Sequence, residues 1–228
     1  IAYGEWRRGA KLTGPLLCWT MCVAVPSALV VAYARDLEML SKDGLRAWDP
    51  LLLVDTADSR NGRIAVTQQS VQSKQRTLYV NGTLAFSYPD PPAAESVAHL
   101  PMLEHPNPRR VLLLGGGPGV VEEILKHPSV ETLTYVELDP VAVEMVRREF
   151  PPAAARVFYD KRVAVTLADG RAFLKRTVQR FDVIISATGP PTTAQANRFY
   201  TLEFFREAAR VLEPGGVFAF HAAGGHDY

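Results

Sequence analysis

Apolar runs typical of strands alternate with amphipathic segments typical of helices from Arg110 onward, and short turns join them. Successive strands that are connected through helices run parallel in one sheet, because the crossover returns each strand in the same direction. This alternation predicts an α/β fold with a doubly wound, mostly parallel sheet and helices on both faces. The five predicted strands are Val111–Leu114, Leu133–Glu137, Val163–Thr166, Val183–Ser186 and Val217–Phe220.

A small antiparallel β region is predicted ahead of this sheet. Strand-type runs occur at Leu51–Val54, Arg63–Val66 and Thr77–Val80, with polar turn residues between them. The dipeptide Asn81-Gly82 favours the two-residue turn of a hairpin, since both residues tolerate positive φ. The predicted divisions are residues 1–48 for an N-terminal segment, residues 49–92 for the small β region and residues 93–228 for the α/β domain.

The N-terminal segment carries an uncharged run from Leu12 to Ala34. About 20 apolar residues are enough for a helix to cross a lipid bilayer, so the run predicts one N-terminal transmembrane helix, which a charged linker follows. The alternatives are a buried core helix and the apolar part of a signal peptide, which is usually about 7–15 residues long. The chain begins with Ile1, and we expect it to be a piece of a longer protein with further spans upstream.

Charge and cysteine content argue against several kinds of partner. The chain has 25 basic and 24 acidic side chains, a formal net charge of +1 and no long basic run. This balance argues against nucleic acid as a partner. The two cysteines, Cys18 and Cys22, form neither a disulfide framework nor a zinc-binding pattern, so no metal is expected.

The first turn from strand to helix in the predicted α/β domain is rich in glycine. It reads Gly115-Gly116-Gly117-Pro118-Gly119. Ligands in such sheets bind at the carboxyl ends of the strands, and glycines let a ligand approach the backbone and the helix N-terminus closely. The turn therefore predicts a nucleotide site, although glycines also serve close packing between a strand and a helix. Its contiguous glycines differ from the Gly-x-Gly-x-x-Gly spacing of dinucleotide sites.

Two acidic residues end the second and third predicted strands. Glu137 lies 18 positions after Gly119, where a carboxylate can accept hydrogen bonds from both hydroxyls of a ribose. Asp169-Gly170 follows the next strand, where a carboxylate can accept from the exocyclic amine of adenine. The alternative for Glu137 is a solvated acid that caps the helix that follows Asp139-Pro140. The alternative for Asp169 is a helix N-cap. Together these positions predict a site for an adenosyl nucleoside.

Several motifs of the chain resemble the spermidine synthase (polyamine aminopropyltransferase) family. The resemblance covers about Asp55 to His221, and Pro191–Thr201 is similar to the membrane-fused bacterial branch of that family. The motifs that carry the rest of it are His105–Gly117, Lys126–Glu131, Val136–Pro140 and Phe181–Ile185.

This resemblance implies a Rossmann-like fold of the S-adenosylmethionine-dependent methyltransferase type. It also implies transfer of an aminopropyl group from decarboxylated S-adenosylmethionine to a polyamine, putrescine, without a metal, and it implies a homodimer. The membrane-fused branch implies that the protein contacts the lipid bilayer of the inner cell membrane through Leu12–Ala34, with its nucleoside-binding domain in the cytoplasm. S-adenosylmethionine itself is the related nucleoside that the same fold would bind.

Carried over residue by residue, the resemblance keeps the nucleoside end of the site and loses the reacting end. The ribose-binding acid of the family falls on Glu137, its adenine-contacting pair falls on Asp169-Gly170, and its glycine loop falls on Gly115, Gly116, Gly117 and Gly119. Its loop aspartate, by contrast, falls on Pro118. The two aspartates that accept the amine proton and hold the polyamine fall on Ala187 and Pro190. Asp90 and Glu95 remain nearby as candidate substrate contacts.

These losses bear directly on the family reaction. An ammonium group cannot attack until a base removes a proton, and such a base contributes about 10²–10⁴-fold to the rate. Alanine and proline cannot act as that base, so we expect aminopropyl transfer to be impaired. Two alternatives stay open: a methyltransferase, which can work largely by proximity and orientation, and a non-catalytic nucleoside-binding domain that regulates a membrane protein.

Overall fold

A computed structural model of the chain describes residues 22–28, 51–191 and 193–221, and the chain divides into two units after Pro50. In the first unit, residues 22–28 are helical. No helix within the described ranges is long and apolar enough to cross a membrane. This finding corrects the predicted transmembrane helix. The predicted span was Leu12–Ala34, and its other residues, 12–21 and 29–34, lie outside the described residues.

The second unit begins with a four-stranded antiparallel sheet whose strands follow one another in chain order. Its strands are β1 (Leu52–Ser59), β2 (Gly62–Gln68), β3 (Arg76–Val80) and β4 (Thr83–Tyr88). The predicted hairpin at Asn81-Gly82 is confirmed, because Val80 pairs with Thr83 across that turn. Both turn residues have positive φ, 51° for Asn81 and 77° for Gly82, as a two-residue hairpin turn requires.

A five-stranded parallel sheet follows, with the strand order β7-β6-β5-β8-β9. Its strands are β5 (Arg110–Gly115), β6 (Thr132–Glu137), β7 (Val163–Leu167), β8 (Phe181–Ala187) and β9 (Leu212–Phe220). This sheet agrees with the parallel α/β prediction. The chain reverses its direction of travel across the sheet between β5 and β8, and ligands of open α/β sheets bind at such a reversal.

Helices precede the parallel sheet and connect its strands. They are α1 (Pro91–Glu104), α2 (Gly117–Leu125), α3 (Pro140–Glu149), α4 (Pro152–Arg156), which a 3₁₀ turn (Val157–Tyr159) follows, α5 (Gly170–Arg176), α6 (Ala194–Asn197) and α7 (Leu202–Val211). Side chains that accept a hydrogen bond from a backbone N–H of the first turn fix where several of them begin. These caps are Asp90 for α1, Asp139 for α3, Asp169 for α5, Thr193 for α6 and Thr201 for α7.

The core lies on both faces of the parallel sheet, which explains the uninterrupted apolar run of β5. Successive side chains of a strand point to opposite faces. Val111 and Leu113 belong to the cluster that includes residues of α1, α2 and the antiparallel sheet. Leu112 and Leu114 belong to the cluster that includes residues of α5 and α7. The antiparallel sheet therefore packs against only one face of the parallel sheet. Its β3–β4 hairpin reaches the carboxyl ends of the parallel strands.

Gly117 is held where no other residue fits without strain. Its φ is +74°, and a Cβ there would lie 2.5 Å from Cγ of the Phe86 ring. Gly82 has a similar φ of +77°, but among the described residues a Cβ there would meet nothing within 4 Å. We expect Gly82→Ala to cost about 1–2 kcal/mol for its left-handed backbone alone. Gly117→Ala should cost about 1–3 kcal/mol more, because the added methyl overpacks the Phe86 contact.

Urea unfolding of the two variants measures this difference. Equal losses of unfolding free energy would mean that Phe86 moves aside at no cost, and the close packing inferred for Gly117 would then be wrong.

Candidate functional site

A cleft of about 450 Å³ lies at the carboxyl ends of β5, β6 and β8, against the β3–β4 hairpin. Four turns that follow strands of the parallel sheet supply part of its lining, in residues 114–116, 136–139, 168–170 and 187–190. The remaining lining residues are Asn61, Leu78, Val80, Asn81, Thr83, Leu84, Ala85, Phe86, Ala142, Thr193, Gln195, Ala196, Arg198 and Phe199. The cleft therefore occupies the reversal point of the sheet.

The glycine loop contributes two residues to the cleft lining and two residues to close packing. Gly115 and Gly116 line the cleft with φ values of +71° and +87°, and a Cβ on Gly116 would lie 2.8 Å from Cβ of Ala187. Gly117 and Gly119 are not among the lining residues. They allow close packing instead. Gly117 lies against the Phe86 ring, and a Cβ on Gly119 would lie 3.3 Å from Cβ of Ala94. Two of the four predicted glycines thus line the cleft.

Glu137 ends β6 inside the cleft, and two neighbours orient its carboxylate. The buried Tyr135 hydroxyl donates to Oε2 at 2.8 Å, and the backbone N–H of Asp139 donates to Oε1 at 3.1 Å. Burial raises the pKa of Glu137, although these hydrogen bonds favour its ionised form. A carboxylate has about four acceptor positions, so two donors leave room for two ribose hydroxyls.

The raised pKa of Glu137 predicts a pH dependence of nucleoside binding. The ionised carboxylate is the form that accepts from a diol, and burial makes Glu137 take up a proton at a higher pH than an ordinary glutamate. We therefore expect the affinity for methylthioadenosine to be highest at pH values above the raised pKa of Glu137 and to fall as the pH drops through that pKa. Calorimetric titrations at a series of pH values measure it.

Glu137→Gln is the control for that pH dependence. This variant should bind more weakly, and its affinity should change less with pH because position 137 no longer titrates. If the unaltered protein and the variant have the same pH profile, Glu137 is not the group that controls binding.

Asp139 connects the antiparallel sheet to the cleft, a role that the sequence did not reveal. It is 4% exposed, and its Oδ1 caps α3 by accepting from the N–H of Val141 at 3.0 Å. Its Oδ2 accepts from the Ser59 hydroxyl and, at 3.3 Å, from the Asn61 side-chain amide. The dipeptide Asp139-Pro140 indicates the helix cap in the sequence. No local sequence signal, however, predicts a hydrogen-bond partner 80 residues earlier.

Asp169 is the N-cap that one of the two interpretations described, and it also lies in the cleft. It caps α5, with Oδ1 accepting from the N–H of Ala172 at 2.9 Å, and it also lines the cleft. Its Oδ2 accepts from Nη2 of Arg198 at 2.5 Å, a contact that sequence analysis missed. An adenine amine would share this oxygen with Arg198 or displace it. Beside this pair, a Cβ on Gly170 would lie 3.1 Å from the Phe199 ring.

The structure places the residues on which the resemblance puts three of the family's acids at different distances from the cleft. Ala187 and Pro190 line it, whereas Pro118 is buried in the first turn of α2 and is not a lining residue. The structure also places Asp90 and Glu95 outside the lining: Asp90 caps α1, and Glu95 is exposed on that helix.

Charge in the cleft is confined to four side chains. Among the lining residues that the structure describes, these are Glu137, Asp139, Asp169 and Arg198. Each of the three carboxylates already accepts hydrogen bonds on both oxygens. Within residues 22–28, 51–191 and 193–221, no group of three or more His, Cys, Asp or Glu side chains could hold a metal ion.

Known proteins share both the sequence and the fold of this unit. Residues 91–225 match the family model of the spermine/spermidine synthase domain. The polyamine aminopropyltransferase of Thermotoga petrophila is 36% identical over 126 residues, which cover 55% of this chain and 42% of that protein. Putrescine N-methyltransferase 2 of Nicotiana attenuata is 40% identical over 188 residues, which cover 82% of this chain and 46% of that protein.

A solved structure of a spermidine synthase in complex with the transition-state analogue AdoDATO superimposes with a TM-score of 0.66 and 30% sequence identity. The match covers 73% of this chain and 57% of that one. This chain thus spans about half the length of the relatives that it matches. Because the family model matches more than half of the chain, the resemblance of its motifs is confirmed, and the chain belongs to the spermine/spermidine synthase family.

Proposed function

We propose that the cleft binds an adenosyl nucleoside, decarboxylated S-adenosylmethionine or S-adenosylmethionine, as a substrate. The observation that carries this proposal is the position of Glu137, which ends β6, and of Asp169, which follows β7, because both line one cleft beside Gly115 and Gly116. Glu137 would accept from the ribose hydroxyls and Asp169 from the adenine amine. The complex of a related spermidine synthase with AdoDATO supports the same class of ligand.

The family reaction needs more than a bound nucleoside. In aminopropyl transfer, an amine lone pair bonds to the carbon beside the sulfonium, the carbon–sulfur bond breaks with its electrons going to sulfur, and neutral methylthioadenosine leaves. The attacking ammonium must first lose a proton to a base. The side chains of Ala187 and Pro190 cannot accept it. Glu137 and Asp169 are taken up by the proposed ribose and adenine contacts, and the carboxylate of Asp139, which is 4% exposed, caps α3 and accepts from Ser59 and Asn61. We therefore propose that aminopropyl transfer to putrescine is slow in this protein.

Methyl transfer is a second candidate. The similarity to putrescine N-methyltransferase 2, which extends over 188 residues, favours it. Methyl transfer to an acceptor that does not have to lose a proton can rest on positioning of the two reactants with little acid–base help, so it needs no acid at positions 187 and 190. Methyl transfer to putrescine would need the same proton removal as aminopropyl transfer. A nucleoside-binding domain without catalysis is the remaining alternative, and it fits the same residues.

Product analysis separates these functions. The full chain is incubated with putrescine and either decarboxylated S-adenosylmethionine or S-adenosylmethionine, and the nucleoside products are resolved by chromatography. Rapid release of methylthioadenosine indicates aminopropyl transfer and contradicts our proposal of a slow reaction. Release of S-adenosylhomocysteine indicates methyl transfer. Binding of both nucleosides without either product indicates a binding domain.

A further inference from the structure

We infer that Arg198 recognises the base of the bound nucleoside by donating a hydrogen bond to a ring nitrogen of adenine, beside the exocyclic amine from which Asp169 accepts. The inference deepens the proposed function and rests on it, because it requires an adenosyl nucleoside in the cleft. Arg198 and Asp169 both line the cleft. The residue-by-residue resemblance to the family assigns no role to Arg198.

Contacts on several sides fix the position of the Arg198 guanidinium. Its Nη2 donates to Oδ2 of Asp169 at 2.5 Å, and its Cζ lies 5.5 Å from the centre of the Phe199 ring. The backbone carbonyl of Arg198 accepts from Nη1 of Arg171 at 3.3 Å, and Arg171 is itself paired with Glu207. Little free energy is therefore needed to position this guanidinium against a base.

The Arg198 guanidinium has unused donors beside Asp169. A guanidinium carries five N–H donors. Within the part of the chain that the structure describes, Nη2 is paired with Asp169, whereas Nε and Nη1 have no hydrogen-bond partner. Because the side chain lines the cleft and is 37% exposed, a ligand can reach these donors.

The Arg198–Asp169 pair matches an edge of adenine. The exocyclic amine of adenine donates, whereas the ring nitrogens that flank it, N1 and N7, accept. Asp169 can accept from the amine while Arg198 donates to the neighbouring ring nitrogen. A base that used Asp169 alone would leave that nitrogen without a donor, which is costly once water is excluded.

The charges of the cleft argue against an anionic group at Arg198. The described lining contains three carboxylates, those of Glu137, Asp139 and Asp169, and Arg198 is its one cation. A phosphate or carboxylate of a ligand would compete with Asp169 for the guanidinium, and two further acids line the same cleft. Adenine is uncharged, so it can bind both members of the pair and leave the ion pair intact.

Analogues of the nucleoside test the contact with the ring nitrogen. Methylthioadenosine is compared with its 1-deaza and 7-deaza analogues, each of which has a C–H group in place of one ring nitrogen and keeps the amine. Calorimetry on the full chain gives the dissociation constants. We expect one of the two analogues to bind about 10-fold more weakly or worse, since a hydrogen bond to a charged group contributes about that much or more.

Variants of Arg198 show whether this residue makes the contact. Arg198→Met keeps the apolar stem and removes every donor, so it should bind methylthioadenosine about 10-fold more weakly, and the sensitive analogue should lose little further affinity. Arg198→Lys should behave in the same way, because an ammonium lacks the planar fork that can serve Asp169 and the base together. Arg206→Met is the matched control, since Arg206 is exposed on α7 and does not line the cleft. It should leave all the affinities unchanged.

Unchanged or tighter binding of methylthioadenosine by Arg198→Met would overturn the inference, because Arg198 would then make no contact with the base or would compete with it for Asp169. Equal affinities of the unaltered chain for methylthioadenosine and both analogues would also overturn it. So would losses from the analogue and from the variant that simply add, since independent contacts behave in that way.

The titration of the unaltered chain with methylthioadenosine separates this inference from the proposed function. If that nucleoside fails to bind, the proposed function is wrong. If it binds with an affinity that does not depend on Arg198, the proposed function stands and the role of Arg198 is wrong.

Discussion

Replacing Ala187 and Pro190 together by aspartate is expected to raise aminopropyl transfer to putrescine by about 10²-fold or more, because a positioned general base contributes about 10²–10⁴-fold. Both residues line the reacting end of the cleft, so that new carboxylates there would face the acceptor. They would remove the amine proton and replace the water around the ammonium groups. Release of methylthioadenosine from decarboxylated S-adenosylmethionine measures the rate.

The double replacement by asparagine is the matched control, since asparagine has the shape of aspartate without its charge or basicity. It should stay at the rate of the unaltered protein. Spermidine formation by the unaltered protein at about 1 s⁻¹, the low end of ordinary enzyme turnover, would contradict the account. Asp90 and Glu95 would then be the residues to replace, although both lie outside the cleft lining.

Glu137→Ala is expected to weaken the binding of methylthioadenosine by about 1.5–3 kcal/mol, the usual contribution of hydrogen bonds to a charged group. This corresponds to about a 10- to 150-fold higher dissociation constant. The loss is large because the Tyr135 hydroxyl and the Asp139 N–H already orient the Glu137 carboxylate. Little free energy is therefore needed to position this carboxylate when the nucleoside binds. Calorimetry with the full chain measures it.

Two further variants test whether orientation matters. Tyr135→Phe removes the hydroxyl that donates to Glu137 but keeps the ring that stacks on Phe158, and it should give a smaller loss of affinity. Glu144→Ala is the control for charge alone, because Glu144 is exposed on α3 and does not line the cleft. If Glu144→Ala weakens binding as much as Glu137→Ala does, the ribose contact assigned to Glu137 is wrong.

Local signals in the sequence predicted much of the second unit. The apolar run of β5 reflects burial on both faces of a parallel sheet, and Asn81-Gly82 has the one backbone geometry that closes a two-residue hairpin. Glu137 and Asp169 could be placed near each other because the carboxyl ends of parallel strands share an edge of the sheet. Each of these inferences needs only neighbouring residues and the rules of sheet topology.

Contacts between distant residues could not be predicted in the same way. Two such contacts join different elements: the hydrogen bond from Ser59 to Asp139 and the ion pair of Arg198 with Asp169. No spacing in the sequence predicts either of them. The short helix Pro152–Arg156 was also missed, since it begins at the second of two consecutive prolines and has too few residues for a periodic pattern. Its assignment depends on packing against the rest of the unit.

The transmembrane prediction failed for a different reason. The absence of charge in Leu12–Ala34 is a property of composition, whereas a span requires about 20 consecutive helical residues. Within the described part of the chain, no helix meets that requirement. Apolar composition alone therefore did not establish a membrane helix.

A calorimetric titration of the unaltered chain with methylthioadenosine, decarboxylated S-adenosylmethionine and S-adenosylmethionine tests the central claim most directly. The account predicts saturable binding of at least one of them at a single site, with a raised melting temperature of the protein at saturation. Absence of both heat and thermal protection with all three nucleosides would contradict the assignment of the cleft.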